Sequence, residues 1–83
     1  MTVLYFAWVK EKVGLSEETV TPPPEVTTVS KLMDWLSKRS PGHASAFADR
    51  TLIKSAVAQV HVDHSARIED AGEVAFFPPV TGG

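Results

Sequence analysis

The chain has 83 residues, 43% of them hydrophobic and 22% charged, with a net charge of −2. That composition fits one small globular domain able to bury about 60–65% of its unfolded surface, and the mild negative charge argues against a nucleic-acid footprint or an anionic membrane partner. Cysteine is absent, which removes disulfides, thiolate metal sites and cysteine nucleophiles; no long apolar run or basic-then-apolar leader is present, so a cytoplasmic location is expected.

Thr2–Lys10 is apolar on both faces of an extended chain, with Val3, Tyr5, Ala7 and Val9 on one and Leu4, Phe6 and Trp8 on the other. Its β-branched and aromatic residues predict a central strand over that whole span. Gly14 marks a turn, and Glu17–Thr21 predicts a partner strand ended by Pro22-Pro23-Pro24. The triple proline reads as a rigid loop leading into a helix rather than as a ligand for a proline-binding groove. That helix is predicted from Thr28 to Arg39. Val29, Leu32, Met33 and Leu36 fall at the spacing of an apolar stripe that packs on a sheet. Thr27 or Thr28 can cap its start, Lys38 and Arg39 suit its negative end, and Pro41-Gly42 should stop it. Met33 and Trp35 read as core edge, not as a cofactor box. His43–Asp49 is predicted to form a short second helix that buries Phe47.

Ser55–Val62 predicts one continuous strand, with Ala56, Ala58, Val60 and Val62 on one face and Val57, Gln59 and His61 on the other. Asp63-His64-Ser65 and Asp70-Ala71-Gly72 read as turns. The last strand is Glu73–Phe77, with Val74 and Phe76 alternating against Glu73, Ala75 and Phe77. Then Pro78 and Pro79, which cannot donate to a ladder, end regular pairing.

Few residues carry chemistry of their own. His61, Asp63 and His64 are metal-ligand types, but a zinc site needs three or four converging ligands and His43 is distant in sequence, so no metal is expected. There is no nucleophile elbow around a serine and no glycine-rich phosphate loop, so the chain is expected to bind no nucleotide itself. What remains is the uncharged run Val80-Thr81-Gly82-Gly83. Glycine offers a backbone slim enough for a narrow channel, and a Gly-Gly ending arises by chance in about one chain in 200. From Pro78 to Gly83 an extended tail reaches about 20 Å, and its distinctive reactive group is the Gly83 carboxylate.

The run Gly72-Glu73-Val74-Ala75-Phe76-Phe77-Pro78-Pro79-Val80-Thr81-Gly82-Gly83 resembles the C-terminus of the sulfur-carrier small subunits of molybdopterin synthase (the MoaD family). Leu4-Tyr5-Phe6-Ala7 and the Thr28–Trp35 helix extend the resemblance over nearly the whole chain, and it is weakest between Ser40 and Ser55. Such carriers commonly place Asn where this chain has Ala58. Element order alone predicts an α+β domain with one main helix across a mixed sheet. The resemblance makes this a ubiquitin-like β-grasp over residues 1–83, with first and last strands adjacent mid-sheet and residues 78–83 a flexible tail. It also implies a function. A separate, ATP-using enzyme related to ubiquitin activators would adenylate Gly83, and sulfur would displace AMP to leave a C-terminal thiocarboxylate. That group would attack cyclic pyranopterin monophosphate inside the large synthase subunit, in a heterotetramer of two small and two large subunits. The chain is therefore expected to be no enzyme on its own and to hold no cofactor. Phe6 and Phe77 are expected on the sheet face away from the helix as a docking pair, with His61 at a third position where relatives carry a more apolar residue. Other readings keep the same tail: a thiamine-pathway sulfur carrier, a ubiquitin-like protein modifier, or a passive interaction domain.

Overall fold

The structure is a computed structural model and describes residues 1–79. Five strands form one sheet in the order β2-β1-β5-β3-β4: β1 Thr2–Tyr5, β2 Glu17–Thr19, β3 Lys54–Val57, β4 Val60–Val62 and β5 Glu73–Phe77. The first and last strands pair in parallel at its centre, Thr2 opposite Glu73 and Tyr5 opposite Phe76, while every other pairing is antiparallel. The sheet is mixed, as expected.

The main helix, α2, runs from Val29 to Ser37. The Thr28 side chain caps it by accepting from the Lys31 N–H at 3.2 Å. Val29, Leu32, Met33 and Leu36 are all completely buried and join Val3, Tyr5, Val74 and Phe76 in one core. Pro41 does more than stop α2: it opens α3, Pro41–Ala46, behind a Ser40 cap. Proline suits that first helical position because its missing N–H would have had no partner there. α3 therefore starts before the expected His43 and ends at Ala46, short of Asp49; Phe47 caps its end and is buried, as expected.

Two expectations need correction. The first strand does not reach Lys10: it ends at Tyr5, and Ala7–Val13 is a helix, α1. Phe6 is extended and Ala7 takes a positive φ of 53°, which turns the chain off the sheet. Val9 is buried four residues before the half-buried Val13, Lys10, Glu11 and Lys12 face water, and Gly14 caps the end in the left-handed conformation. The aromatic and β-branched character of residues 2–10 concealed that helical spacing.

The second correction concerns Ser55–Val62, which is a hairpin and not one strand. Val57 pairs with Val60 across Ala58 and Gln59, whose φ angles of 49° and 69° are those of a two-residue hairpin turn. Reversal at this turn moves His61 to the same face as Ala56, its cross-strand partner. Neither turn residue is a glycine or asparagine, the types that hold left-handed angles at least cost. Ala58→Asn should therefore raise stability by about 0.5–1 kcal/mol, read as a later urea midpoint with an unchanged slope. A midpoint that stays or falls would show that Ala58 is not strained.

Candidate functional site at the base of the tail

Strand parity decides what the helix-free face of the sheet presents. Val3, Tyr5, Val74 and Phe76 point inward and are buried, so Leu4, Ala75 and Phe77 point outward. Phe6 continues β1 by one residue: its N–H donates to the Phe76 carbonyl at 3.1 Å. Its side chain is 48% exposed. Lys54 stands opposite Phe77, and Ala56 lies between Ala75 and His61 across the strands. The His61 ring lies 5.1 Å from that of Phe77. The predicted trio of Phe6, His61 and Phe77 thus occupies one face, with His61 against Phe77 and Phe6 on the other side of β5. The small side chains of Ala56 and Ala75 form the floor between them. A shallow cavity of about 430 Å³, lined by Lys54, His61, Val62 and Phe77 among others, lies beside this group.

Pro78 and Pro79 follow Phe77 directly and form no strand. The tail residues Val80, Thr81, Gly82 and Gly83 lie outside the described residues. Apolar residues with a few polar groups at their margin make a face that excludes water against a partner, which suits docking rather than catalysis.

Asp63 and His64, two of the candidate metal ligands, have structural partners. Asp63 accepts from the backbone N–H of Ser65 at 2.8 Å and from its hydroxyl, and these bonds, led by the hydroxyl, hold its carboxyl below the ordinary range. His64 Nε2 lies 2.8 Å from the Ile53 carbonyl. Asp63 and His64 therefore serve the 63–66 turn and the entrance to β3, while His61 lies against Phe77. Among the described residues no group of three His, Cys, Asp or Glu side chains is placed to hold a metal ion.

One cluster has no counterpart in the sequence reading. Glu18 of β2 accepts from the Tyr5 hydroxyl at 2.7 Å and from His43 Nε2 at 2.6 Å, and Arg39 reaches its other oxygen at 3.1 Å. His43 Nδ1 lies 2.7 Å from Ser40 Oγ. Ser40, His43 and Glu18 line up like a serine–histidine–carboxylate chain, but Ser40 Oγ already accepts the His43 N–H at 3.1 Å to cap α3. The cluster is a buried clamp between β2, β1 and α3. Burial pushes the Glu18 carboxyl up, but hydrogen bonds from His43 and Tyr5 and the charges of His43 and Arg39 outweigh it and leave the group below its ordinary value. The Tyr5 phenol moves well above its usual range, first through burial and then through the Glu18 bond and charge, against a smaller opposing effect of Arg39.

Fold and site together define a class: a ubiquitin-like β-grasp domain with Phe6, His61 and Phe77 on the helix-free face of its sheet, where the last strand ends. Within that class, the chain belongs to the ThiS family, whose model matches residues 3–83. It is 41% identical to the molybdopterin synthase sulfur carrier subunit of Escherichia coli K12 over 81 residues, covering 98% of this chain and 96% of that one. The human protein of the same name is 34% identical over 84 residues, covering 98% and 91%. Among solved structures, a Pyrococcus furiosus protein assigned as subunit 1 of the molybdopterin converting factor superposes with a TM-score of 0.74 at 28% identity, over 95% of both chains. SAMP1 from Haloferax volcanii shares the fold, with a TM-score of 0.72 at 24% identity over 100% of this chain and 98% of its own.

Proposed function

We propose that this chain is the sulfur carrier of a molybdopterin synthase, with Gly83 as the carrying residue. The reading is supported above all by near-full-length similarity to two sulfur carrier subunits of that enzyme. A carboxylate is a poor electrophile until one oxygen becomes a leaving group. A separate activating enzyme would therefore transfer AMP from ATP to the Gly83 carboxylate, releasing pyrophosphate. A sulfur donor then displaces AMP to leave the thiocarboxylate. In the large synthase subunit the thiocarboxylate attacks cyclic pyranopterin monophosphate, and hydrolysis returns Gly83 to its carboxylate. A dithiolene needs two sulfurs, so two carriers are consumed per product, which fits a heterotetramer with two small subunits.

The test is direct. Incubated with the activating enzyme, ATP and a sulfur source, the chain should gain the mass difference between sulfur and oxygen, and that gain should disappear on transfer to the pterin. A chain that binds its activator yet never gains that mass would overturn the reading. The ThiS family match keeps a thiamine-pathway carrier as the second reading. It shares the tail chemistry and differs in the acceptor, so binding to the large synthase subunit separates the two.

Docking is assigned to Phe6, His61 and Phe77. Because aromatic anchors at such interfaces contribute about 2 kcal/mol or more, Phe77→Ala should weaken binding to the large subunit about thirtyfold. Phe77 is only half-buried, so the thermal midpoint should fall much less than truncation of a core phenylalanine would cause. Calorimetric titration beside a melting curve checks both; unchanged affinity with a large loss of stability would return Phe77 to the core.

A further inference from the structure

Four large apolar side chains stand well exposed among the described residues: Phe6, Leu15, Leu52 and Val60. Three of them lie at the same end of the sheet. Phe6 follows the last residue of β1. Leu15 adjoins Ser16, whose carbonyl accepts the Tyr5 N–H at 2.9 Å. Leu52 lies two residues before Lys54, the partner of Phe77. That is the end at which β5 delivers the tail. Val60 is at the opposite end, beside the hairpin turn. Exposed apolar side chains gathered at one end of so small a domain mark a contact surface.

The helix side of this end holds a groove of about 270 Å³ between α1 and the segment from α3 to Leu52. Trp8 and Leu52 wall it, with Ala46 and Ala48 between them. Lys12 closes one side, its Nζ 6.0 Å from the Trp8 ring centre and 3.4 Å from Ser45 Oγ. Each wall is two residues from a position flanking the tail's root: Trp8 from Phe6, and Leu52 from Lys54. Reach then limits where a partner can sit. The four residues after Pro79 span about 14 Å at most. An enzyme that takes Gly83 into its active site must therefore bring its entrance against the domain, and the rim of that entrance meets the tail's root from both sides.

We infer that the groove walled by Trp8 and Leu52 receives a large apolar side chain from the channel rim of the large synthase subunit when that subunit accepts the tail. This inference rests on the carrier reading above and extends its docking surface from the sheet face round the tail's root to the helix side. Its occupant is aliphatic or aromatic, because the groove's walls and floor are apolar and its charged groups stand at the margin.

The chain's two tryptophans make the test direct. Trp35 lies on α2 against Arg39, with ring and guanidinium 5.1 Å apart, away from the groove. With both replaced by fluorotryptophan, titration with the large synthase subunit should shift the Trp8 fluorine resonance and leave that of Trp35 in place. Leu52→Asp should weaken binding at least tenfold without lowering the thermal midpoint, whereas Val60→Asp should leave affinity unchanged. A silent Trp8 and an unaffected Leu52→Asp, in a complex that Phe77→Ala still weakens, would overturn the groove and leave the docking face standing. Indifference to Phe77→Ala as well would remove the docking face itself. A Trp8 shift that depends on the carrier's own concentration, with no enzyme present, would assign the groove to a second copy and also overturn the inference.

Discussion

Glu18→Ala is expected to destabilise the domain by about 3–5 kcal/mol, the loss that follows when one partner of a buried charged network is removed. Alanine would leave the Tyr5 hydroxyl and His43 Nε2 without an acceptor in a region where both side chains are almost completely buried. Arg39 adds less, because its head is partly in water and an exposed ion pair contributes little. Glu18→Gln should cost less than alanine, since an amide oxygen can still accept one of the two bonds. The two variants also separate charge from packing through pH. The folded-state pKa of Glu18 lies below its ordinary value of 4.5. Its ionic contribution is therefore complete above that value and is lost as pH falls through the folded pKa. Urea unfolding of the wild type between neutral and acid pH should show that loss, and Glu18→Gln should show a shallower decline. Equal acid sensitivity in the two proteins would mean that Glu18 titrates normally and that the clamp is held by geometry alone.

This clamp shows what a single sequence conceals. Glu18 and His43 are 25 positions apart, and neither stands in a pattern that announces the other. In a three-residue edge strand Glu18 reads as ordinary surface charge, and only the antiparallel β1–β2 pairing, which sets Glu18 opposite the inward-facing Val3, with α3 packed nearby, turns the side chain toward Tyr5. Local patterns did better. Val74 and Phe76 alternate cleanly after a turn signal, and α2 carries a full apolar stripe behind a threonine cap, so both were legible with nearly their observed bounds. The β1–α1 boundary was not, because residues 2–10 are apolar enough for either structure and the turn occurs at an alanine. The β3–β4 hairpin was missed for a related reason: Ala58 and Gln59 hold left-handed angles without the residue types that signal them. The outward placement of Phe6 and Phe77 followed from parity alone. Once Tyr5 and Phe76 point inward, Phe6 and Phe77 must point outward, whatever the chain does after Phe6. His61 reached that face by the unforeseen hairpin, not by the strand parity first assigned to it.

Changing the tail's length by one residue, in either direction, is expected to abolish sulfur transfer while leaving the domain folded. Deleting Gly83 draws the reacting carboxyl back by about 3.3–3.6 Å, and adding one residue after it pushes the carboxyl forward by as much. Reaction requires atoms held about 3–3.5 Å apart in register, so an error of one residue equals the whole approach distance. The tail cannot absorb that error by sliding, because Phe77 is fixed in register with Lys54 and lies against His61, while Pro78 and Pro79 restrict φ just beyond it. Stability should be untouched, since the core described above ends at Phe76. Gly82→Ala should fold equally well and still transfer sulfur poorly, because a methyl group must pass where bare backbone fits. Intact mass after incubation with activating enzyme, ATP and sulfur source reads the first half-reaction, and molybdopterin formation reads the second. Both length variants should show no mass gain and no product. Should they be thiolated and support synthesis as well as the wild type, the carrier group is not at Gly83 and the proposed chemistry of this tail is wrong.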